Sequence, residues 1–282
     1  MQKQQNLRVK SKHHNKPILT DLFYNKDAKK KPIVIFCHGY KGYKDWGAWN
    51  IAAEEFSKSN LFFVKFNFSH NGGTADNPID FPDLEAFGNN NFTKELDDLE
   101  DVIDWVLNNS DFKDEMDTEN ITLIGHSRGG GIVTIKASEN KNITNVITWA
   151  GVSDYGARFP SGEVLKHWER MGISHIENAR TKQQMPHYFQ FYKNFKENEE
   201  RLTIKNAVSK LKISYLIVHG KNDEVVPLKE AENLHSWNPN SKLVVIEKMN
   251  HPLGCTQPWE DKKMPVYLEK VVKESINFIF QK

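Results

Sequence analysis

The sequence predicts an α/β protein whose core is a mostly parallel sheet of about eight strands, flanked by helices on both faces. Apolar runs alternate with amphipathic stretches from about Ile18 onward, which is typical of repeated strand-helix-strand units. The chain has 282 residues, of which 38% are hydrophobic and 11% aromatic, so it can bury a large core. Because single α/β domains of roughly 250 residues are common, we predict one domain over residues 1–282.

The predicted strands are short runs rich in β-branched and aromatic residues. They span residues 7–11, 18–24, 33–37, 61–66, 121–125, 146–149, 213–219 and 243–246. The polar stretch His13-His14-Asn15 separates the first two, which predicts an antiparallel hairpin at the edge of the sheet. Several later runs are apolar throughout, as expected for strands that are buried on both faces.

Amphipathic patterns between these strands predict five helices. They span residues 46–58, 92–108, 128–137, 228–237 and 265–280. The second is the best specified, since its apolar residues recur every three or four positions. Carboxylates fill the opposite face of that helix. We interpret them as a solvated surface rather than a cation site, which would need turn-forming glycine and converging oxygen ligands.

Two segments depart from the alternation of strands and helices. Residues 67–91 are rich in Asn, Gly and Pro and predict a long surface loop. Residues 155–210 are too many for a bare connection, so we predict a helical cap inserted in the domain. Its aromatic residues could line a pocket, with Trp168, Tyr188 and Tyr192 as candidate substrate contacts, or could only seat the cap on the sheet.

Charge and cysteine content exclude several classes of protein. The chain has 38 Lys and Arg against 37 Asp and Glu, a net charge of +1, whereas nucleic-acid binding normally needs a basic excess or cluster. No apolar segment approaches the ~20 residues of a membrane span, and none follows the basic N-terminus as a secretory signal would. We therefore expect no nucleic-acid partner, no membrane and a cytoplasmic location, with Cys37 and Cys255 as reduced thiols.

The strongest chemical signal is Gly125-His126-Ser127-Arg128-Gly129, which follows an apolar strand and precedes a helical pattern. In this setting Gly-x-Ser-x-Gly indicates a nucleophilic serine, because the sharp turn leaves no room for side chains two residues either way. Ser127 would project above the carboxyl edge of the sheet. The N–H groups of the following helix would point at any oxyanion formed there.

A nucleophilic serine needs a base and an orienting acid. Asp223 and His251 each follow a predicted strand, so both should lie at the same edge as Ser127, where the loops of an open parallel sheet converge. Asp154 also follows a strand and is an alternative acid. His126, within the serine motif, is better explained by structural hydrogen bonding, as is His38 after an earlier strand.

Motifs for bound metals or cofactors are missing from the sequence. The histidines and cysteines show no zinc-ligand spacing. There is no phosphate-binding or dinucleotide-binding glycine loop. We therefore predict neither a metal nor a cofactor.

In the order Ser127, Asp223, His251, the chain resembles the α/β-hydrolase family, from about Ile33 to the C-terminus. The apolar run that ends in His38-Gly39-Tyr40 is a further match. In that family the residue after this glycine supplies a backbone N–H to the oxyanion hole, which implies Tyr40 and, as the second donor, Arg128. Where many members carry Asp-x-Arg-Gly-His-Gly, this chain has Asn67-Phe-Ser-His-Asn-Gly.

The sequence therefore predicts an α/β-hydrolase fold and a serine hydrolase that cleaves a small-molecule carboxylic ester through an acyl-enzyme. It most resembles the dienelactone-hydrolase and feruloyl-esterase-like branch. A small serine peptidase or amidase of the prolyl-oligopeptidase-like branch and a thioesterase are alternatives, because all three share the triad. A non-catalytic ligand receptor on the same fold is the alternative from another class. An exposed edge strand or the cap could support a homodimer.

Overall fold

The computed structural model describes residues 1–281 and confirms the predicted fold class. Its strands in chain order are β1 (Gln2–Val9), β2 (Ile18–Tyr24), β3 (Lys31–Cys37), β4 (Phe62–Phe66), β5 (Met116–His126), β6 (Ile143–Trp149), β7 (Ile173–Glu177), β8 (Gln184–Tyr188), β9 (Ser214–Gly220) and β10 (Lys242–Ile246). Eight of them form one sheet in the spatial order β1-β2-β4-β3-β5-β6-β9-β10. The pairs β1-β2 and β2-β4 are antiparallel and the other neighbours are parallel. The predicted edge hairpin is thus confirmed, although β1 begins at Gln2 rather than Leu7.

Ten α-helices occur in the described part of the chain. They are α1 (Trp49–Lys58), α2 (Leu84–Gly88), α3 (Phe92–Asn108), α4 (Arg128–Glu139), α5 (Gly162–Met171), α6 (Gln190–Glu197), α7 (Glu199–Leu202), α8 (Ile204–Lys210), α9 (Leu228–Trp237) and α10 (Val266–Phe280). None of them is both long and apolar enough to span a membrane. Helices α3, α4, α8 and α9 cover one face of the sheet, and α1 and α10 cover the other.

Strand β3 shows why the central strands are apolar without interruption. Successive side chains of a strand point to opposite faces. Ile33 and Ile35 therefore pack into the core beneath α3 and α4, while Val34 and Phe36 pack into the core beneath α1 and α10. Since both faces are covered by helices, neither set of positions can be polar.

The acidic face of α3 is not solvated throughout, contrary to the expectation from sequence. Glu95, Asp98 and Asp101 are buried because other segments of the chain cover this face. Asp101 accepts hydrogen bonds from the Ser11 hydroxyl and the Lys12 amide, while Asp98 accepts one from the amide of Ser69. Burial raises the pKa of Asp98 to about 8.

The prediction of a surface loop over residues 67–91 is wrong in two respects. The segment contains a short helix, α2, capped by the Asp83 carboxylate. Phe68, Phe81 and Phe87 are buried, and Asn67 uses its side chain to hold the backbone of Lys44. The many turn-forming residues of this segment therefore belong to a tightly folded, partly buried connection rather than an exposed loop.

The inserted segment, residues 155–210, contains α5 to α8 and also the hairpin β7-β8, which the sequence did not predict. Hydrogen bonds join it to the segment around α2. The Gln190 amide donates to the carbonyl of Asn90 (2.8 Å) and accepts from Asn91 (2.8 Å), and the Gln183 amide donates to the carbonyl of Phe81 (3.0 Å). The insertion is therefore tied to the main domain at several points.

Candidate active site

Ser127 lies in the turn between β5 and α4, with φ 55° and ψ −121°. This conformation is unfavourable for a residue with a side chain, and tertiary contacts maintain it. The Ser127 amide donates to the carbonyl of Trp149 on the next strand (2.9 Å). A Cβ at Gly125 would lie 2.2 Å from the carbonyl oxygen of Gly129, and a Cβ at Gly129 would lie 2.6 Å from that of Cys37. Both glycines are needed because backbone occupies the space.

The structure brings Ser127, His251 and Asp223 together at the carboxyl edge of the sheet. His251 Nε2 lies 3.0 Å from Ser127 Oγ, and Nδ1 lies 2.8 Å from Asp223 Oδ2. With the carboxylate accepting from Nδ1–H, Nε2 is free to accept the serine proton. These are the distances and the order of contacts that a serine nucleophile, its base and an orienting acid require.

Asp223 is held so that one oxygen faces His251. Its Oδ1 accepts hydrogen bonds from the amides of Val225 (2.9 Å) and Val226 (2.8 Å). Burial favours the neutral carboxyl, but the hydrogen bond and charge of His251, together with these amides, lower the pKa of Asp223 below its usual value. The side chain is therefore an anion in hydrogen-bond contact with Nδ1 of the imidazole.

His126 supports the loop that carries His251. Its Nε2 donates to the carbonyl oxygen of His251 (3.0 Å), and the two rings lie 5.0 Å apart between centroids. Burial and the nearby His251 lower the pKa of His126 to about 3, so its ring is neutral at pH 7. This placement agrees with the structural interpretation of His126 in the sequence.

The two residues predicted to supply oxyanion donors, Tyr40 and Arg128, are each next in sequence to a residue at the nucleophile turn. Arg128 begins α4, and Tyr40 follows Gly39, whose position is so close to the serine that a Cβ there would lie 2.9 Å from Ser127 Cβ. Among the described residues, neither the Tyr40 amide nor the Arg128 amide donates to another protein group. Both donors are thus available to an oxygen bound beside Ser127.

A buried network of charges anchors the loop that contains Tyr40. Lys44, in this loop, and Lys65, on β4, both bind Asp21 of β2 at 2.9 Å and 2.7 Å, and all three side chains are fully buried. Lys65 also donates to the Lys44 carbonyl (2.9 Å) and to Asp45 (2.6 Å). Because each cation has two or more oxygen partners, the network fixes the loop against the sheet.

A cavity of about 790 Å³ opens beside Ser127 and His251. It lies between the main domain and the insertion. Aromatic side chains make up much of its wall: Tyr40, Phe92, Tyr155, Phe159, Trp168 and Phe191. A cavity of this size and character suits a small, mostly apolar molecule.

Of the three aromatic residues proposed from sequence to contact substrate, the structure places only Trp168 in the cavity wall. The Trp168 indole donates to the carbonyl of His187 (2.8 Å). Tyr188 instead packs against Gly88, and its hydroxyl donates to Glu85. The Tyr192 ring is not part of the cavity wall; its centroid lies 6.5 Å from that of Trp168. For the two tyrosines the proposed contact is corrected, because the side of each element that faces the cavity is set by tertiary packing.

The remaining candidates lie away from the chemistry. Asp154 is exposed and caps a turn through the amides of Gly156 and Ala157, so it does not reach His251. His38 donates from Nδ1 to the Gly39 carbonyl (2.9 Å) and accepts from the amide of Phe68. Both thiols are buried and free. Within residues 1–281, no cluster of three or more His, Cys, Asp and Glu side chains is arranged to hold a metal ion.

Sequence reasoning missed most residues of the cavity wall, among them its polar members Lys41, His187 and the side chain of Arg128. The Tyr40 hydroxyl lies 2.8 Å from His187 Nε2, which joins the insertion to the Tyr40 loop. Arg128 had been assigned only a backbone role. No sequence signal distinguishes its side chain, since the middle positions of Gly-x-Ser-x-Gly tolerate many residues.

Comparison with known proteins agrees with this architecture. The family model described as BD-FAE matches residues 20–238, more than half of the chain. A search of curated proteins gives no significant match. Many solved structures are similar. The three described next share less than 20% sequence identity with this chain, so they bear on the fold alone.

Est1E from Butyrivibrio proteoclasticus has a TM-score of 0.70 at 18% identity, covering 99% of this chain and 98% of that one. A second structure of Est1E, with ferulic acid bound, has a TM-score of 0.69 at 19% identity and covers 98% of both chains. A putative dienelactone hydrolase from Klebsiella pneumoniae has a TM-score of 0.61 at 13% identity, with coverage of 99% and 98%.

Proposed function

Because the chain belongs to the BD-FAE family and has the α/β-hydrolase fold, we propose that it is a serine esterase that hydrolyses small carboxylic esters. One observation carries the proposal. Ser127, His251 and Asp223 form a continuous chain of hydrogen bonds beside an apolar cavity. The ferulic acid bound to Est1E supports an aromatic or other apolar acyl group for this chain too.

The proposed reaction starts when Ser127 Oγ attacks the ester carbonyl carbon while His251 Nε2 takes the hydroxyl proton. The carbonyl oxygen becomes an oxyanion, which accepts hydrogen bonds from the amides of Tyr40 and Arg128; each such donor contributes about 3 kcal/mol in comparable sites. The bond to the alcohol oxygen then breaks, and His251 returns the proton to the leaving alcohol. An acyl group remains on Ser127.

Water completes the cycle by the same route. His251 Nε2 takes a proton from water as its oxygen attacks the acyl carbon, and the proton passes to Ser127 Oγ when the acid leaves. Asp223 stays ionised throughout and stabilises the imidazolium that forms in each half of the reaction. The net change is one ester and one water converted to one acid and one alcohol.

The cavity favours esters over aminoacyl amides. Of the described residues that line it, none is acidic, so nothing there would pair with the free ammonium group of an aminoacyl substrate. Its wall is apolar apart from cationic side chains and a few hydroxyl or imidazole groups. A peptidase that reads a free N-terminus would be expected to carry a carboxylate at this place.

The test is whether Ser127 alone among the serines of this region is the nucleophile. We expect a fluorophosphonate probe to label the protein at Ser127, and the Ser127→Ala variant to lose both labelling and hydrolysis of a p-nitrophenyl ester, by about 10⁴-fold or more. Ser138→Ala, on the same helix α4, is the matched control and should keep both. Parent-level turnover in Ser127→Ala, with its fold intact by circular dichroism, would falsify the assignment.

A further inference from the structure

The cavity beside Ser127 has an uneven distribution of charge. Three cationic side chains line it, from Lys41, Arg128 and Arg158, and no acidic one does among its described lining residues. Arg158 is neutralised by an ion pair with Glu230 on α9. Arg128 also has a buried carboxylate nearby, since Glu95 Oε1 lies 3.2 Å from its Nη2. Lys41 is therefore the lining cation without an ion-pair partner among the described residues.

Arg128 has a rigid and mostly desolvated side chain. Its guanidinium carbon lies 4.6 Å from the centroid of Phe92 and 4.9 Å from that of Phe191, and the side chain is only 12% exposed. Glu95 Oε1 lies 3.2 Å from Nη2, but Nε and Nη2 have no hydrogen-bond partner among the described residues. These two atoms are shut off from solvent, so an oxygen ligand in the cavity would meet the remaining N–H groups of the guanidinium, on Nη1.

Lys41 is a half-buried ammonium without a counter-ion. Burial lowers the pKa of Lys41, and no carboxylate of the described residues opposes this effect. Its backbone is held at φ 52°, and its Nζ lies 5.3 Å from the ring centroid of Tyr40, the same ring that Arg128 approaches at 5.7 Å. The two cations thus share one aromatic neighbour.

Chain connectivity puts these cations beside the reacting centre. Lys41 directly follows Tyr40, and Arg128 directly follows Ser127. A second, smaller cavity of about 20 Å³ is also lined by Lys41 and Arg128, and by Glu95, the ion-pair partner of Arg128. It has room for about one water-sized group, so it can accept an oxygen atom but not an acyl chain.

We propose that Lys41 and Arg128 form an anion subsite, and that the preferred substrates are esters whose apolar acyl group ends in a carboxylate. The hydrolysis of such esters rests on the proposed esterase function, whereas their binding at the subsite does not. A carboxylate would supply the counter-ion that Lys41 lacks and an oxygen partner for Arg128 in addition to Glu95. Charge-assisted hydrogen bonds of this kind are the strong ones in low-dielectric surroundings.

The first test compares two esters that differ in one charge. p-Nitrophenyl hemisuccinate carries a distal carboxylate, and p-nitrophenyl 4-methylpentanoate replaces it by an isopropyl group of similar shape. The measured quantity is kcat/KM for the hemisuccinate divided by kcat/KM for the 4-methylpentanoate. Lys41→Met should lower this ratio about tenfold, the usual effect of one charged hydrogen bond, and Lys41→Glu should lower it further.

Two further variants check the residues involved. Lys193→Met removes a lysine that also lies over an aromatic ring, that of Phe189, but outside the cavity, and should leave the ratio unchanged. Arg128→Gln is made together with Glu95→Gln, so that no buried carboxylate is left alone, and should lower the ratio. A thermal melt of each variant shows whether it is folded.

The second test measures binding without turnover. In Ser127→Ala, the affinities for benzyl hemisuccinate and benzyl 4-methylpentanoate are compared by NMR titration, with and without Lys41→Met. We expect Lys41→Met to weaken only the hemisuccinate, again about tenfold. If the parent hydrolyses both p-nitrophenyl esters but neither the kcat/KM ratio nor the ratio of the two affinities depends on Lys41, the subsite is wrong and the esterase stands. If binding depends on Lys41 but the parent hydrolyses neither ester, the subsite stands and the esterase is wrong.

Discussion

His251 is the residue on which the proposed chemistry depends, and its position is held from three sides. Asp223 binds Nδ1, Ser127 binds Nε2, and His126 binds the backbone carbonyl. The first contact selects the tautomer in which Nε2 can accept a proton. The other two keep that nitrogen at the serine, so the ring has one orientation before any substrate arrives.

Asp223→Asn tests the tautomer directly. The amide oxygen can still accept from the Val225 and Val226 amides, so the loop should keep its shape. The amide NH₂ would then face Nδ1 and favour the wrong tautomer, with Nε2 protonated and unable to accept from Ser127. We expect kcat for a p-nitrophenyl ester to fall by about 10³–10⁴-fold with little change in melting temperature.

Asp154→Asn is the control for this prediction, since Asp154 was the alternative acid in the sequence. Its carboxylate only caps an exposed turn, so the variant should keep the parent kcat. A loss of rate in Asp154→Asn with none in Asp223→Asn would reverse the assignment of the acid.

At the scale of elements, the start of α4 packs against the end of β3 at backbone contact. The carbonyl oxygens of Cys37 and His38 would each lie 2.6 Å from a Cβ at Gly129. This contact sets the distance between the two proposed oxyanion donors, because the Arg128 amide is on the helix and the Tyr40 amide is just past the strand.

Gly129→Ala should therefore separate α4 from β3. Backbone atoms cannot move aside as a flexible side chain would, so the helix must shift and carry Ser127 away from the Tyr40 amide. A displacement of about 1 Å can cost 10²-fold in rate, and we expect kcat/KM to fall by about that factor. Equal kcat/KM in Gly129→Ala and in the Ser138→Ala control would contradict this account of the turn.

For the whole molecule, several titratable groups are buried in their neutral form. Burial lowers the pKa of His38 to about 4, of His126 to about 3 and of His187 to about 4. An unfolded histidine titrates near 6.5, so below that pH the unfolded chain binds more protons than the folded one. Each of these histidines lowers the free energy of unfolding as pH falls from about 6.5 toward its folded pKa. Asp98, with a pKa of about 8, has the opposite effect: it raises the free energy of unfolding as pH falls over this range.

His126→Gln isolates one of these contributions. The glutamine amide can still donate to the His251 carbonyl but does not titrate. We expect the free energy of unfolding, from urea denaturation at several values between pH 6 and 4, to fall less steeply than in the parent. The difference in slope should be up to about 1.4 kcal/mol per pH unit. Identical slopes would show that His126 does not stay neutral in the folded protein.

Local patterns in the amino-acid sequence were enough to predict the fold class and the edge of the sheet where the candidate site lies. Uninterrupted apolar runs such as Ile33–Cys37 report burial on both faces, and the glycines around Ser127 report a turn with no room for side chains. Both signals depend on neighbours a few residues apart. They can therefore be recognised from the sequence alone. The same is true of the placement of Asp223 and His251 after strands that end at one edge.

The tertiary structure alone decided which side chains surround Ser127. Tyr188 and Trp168 have the same aromatic signal in sequence, yet only Trp168 reaches the cavity. Arg128 faces Phe191, which is 63 residues further along the chain. The carboxylates of α3 are buried by other segments of the chain, which the amphipathic pattern of the helix does not predict. These contacts form between distant residues whose packing fixes the direction of each side chain, and no local periodicity encodes that direction.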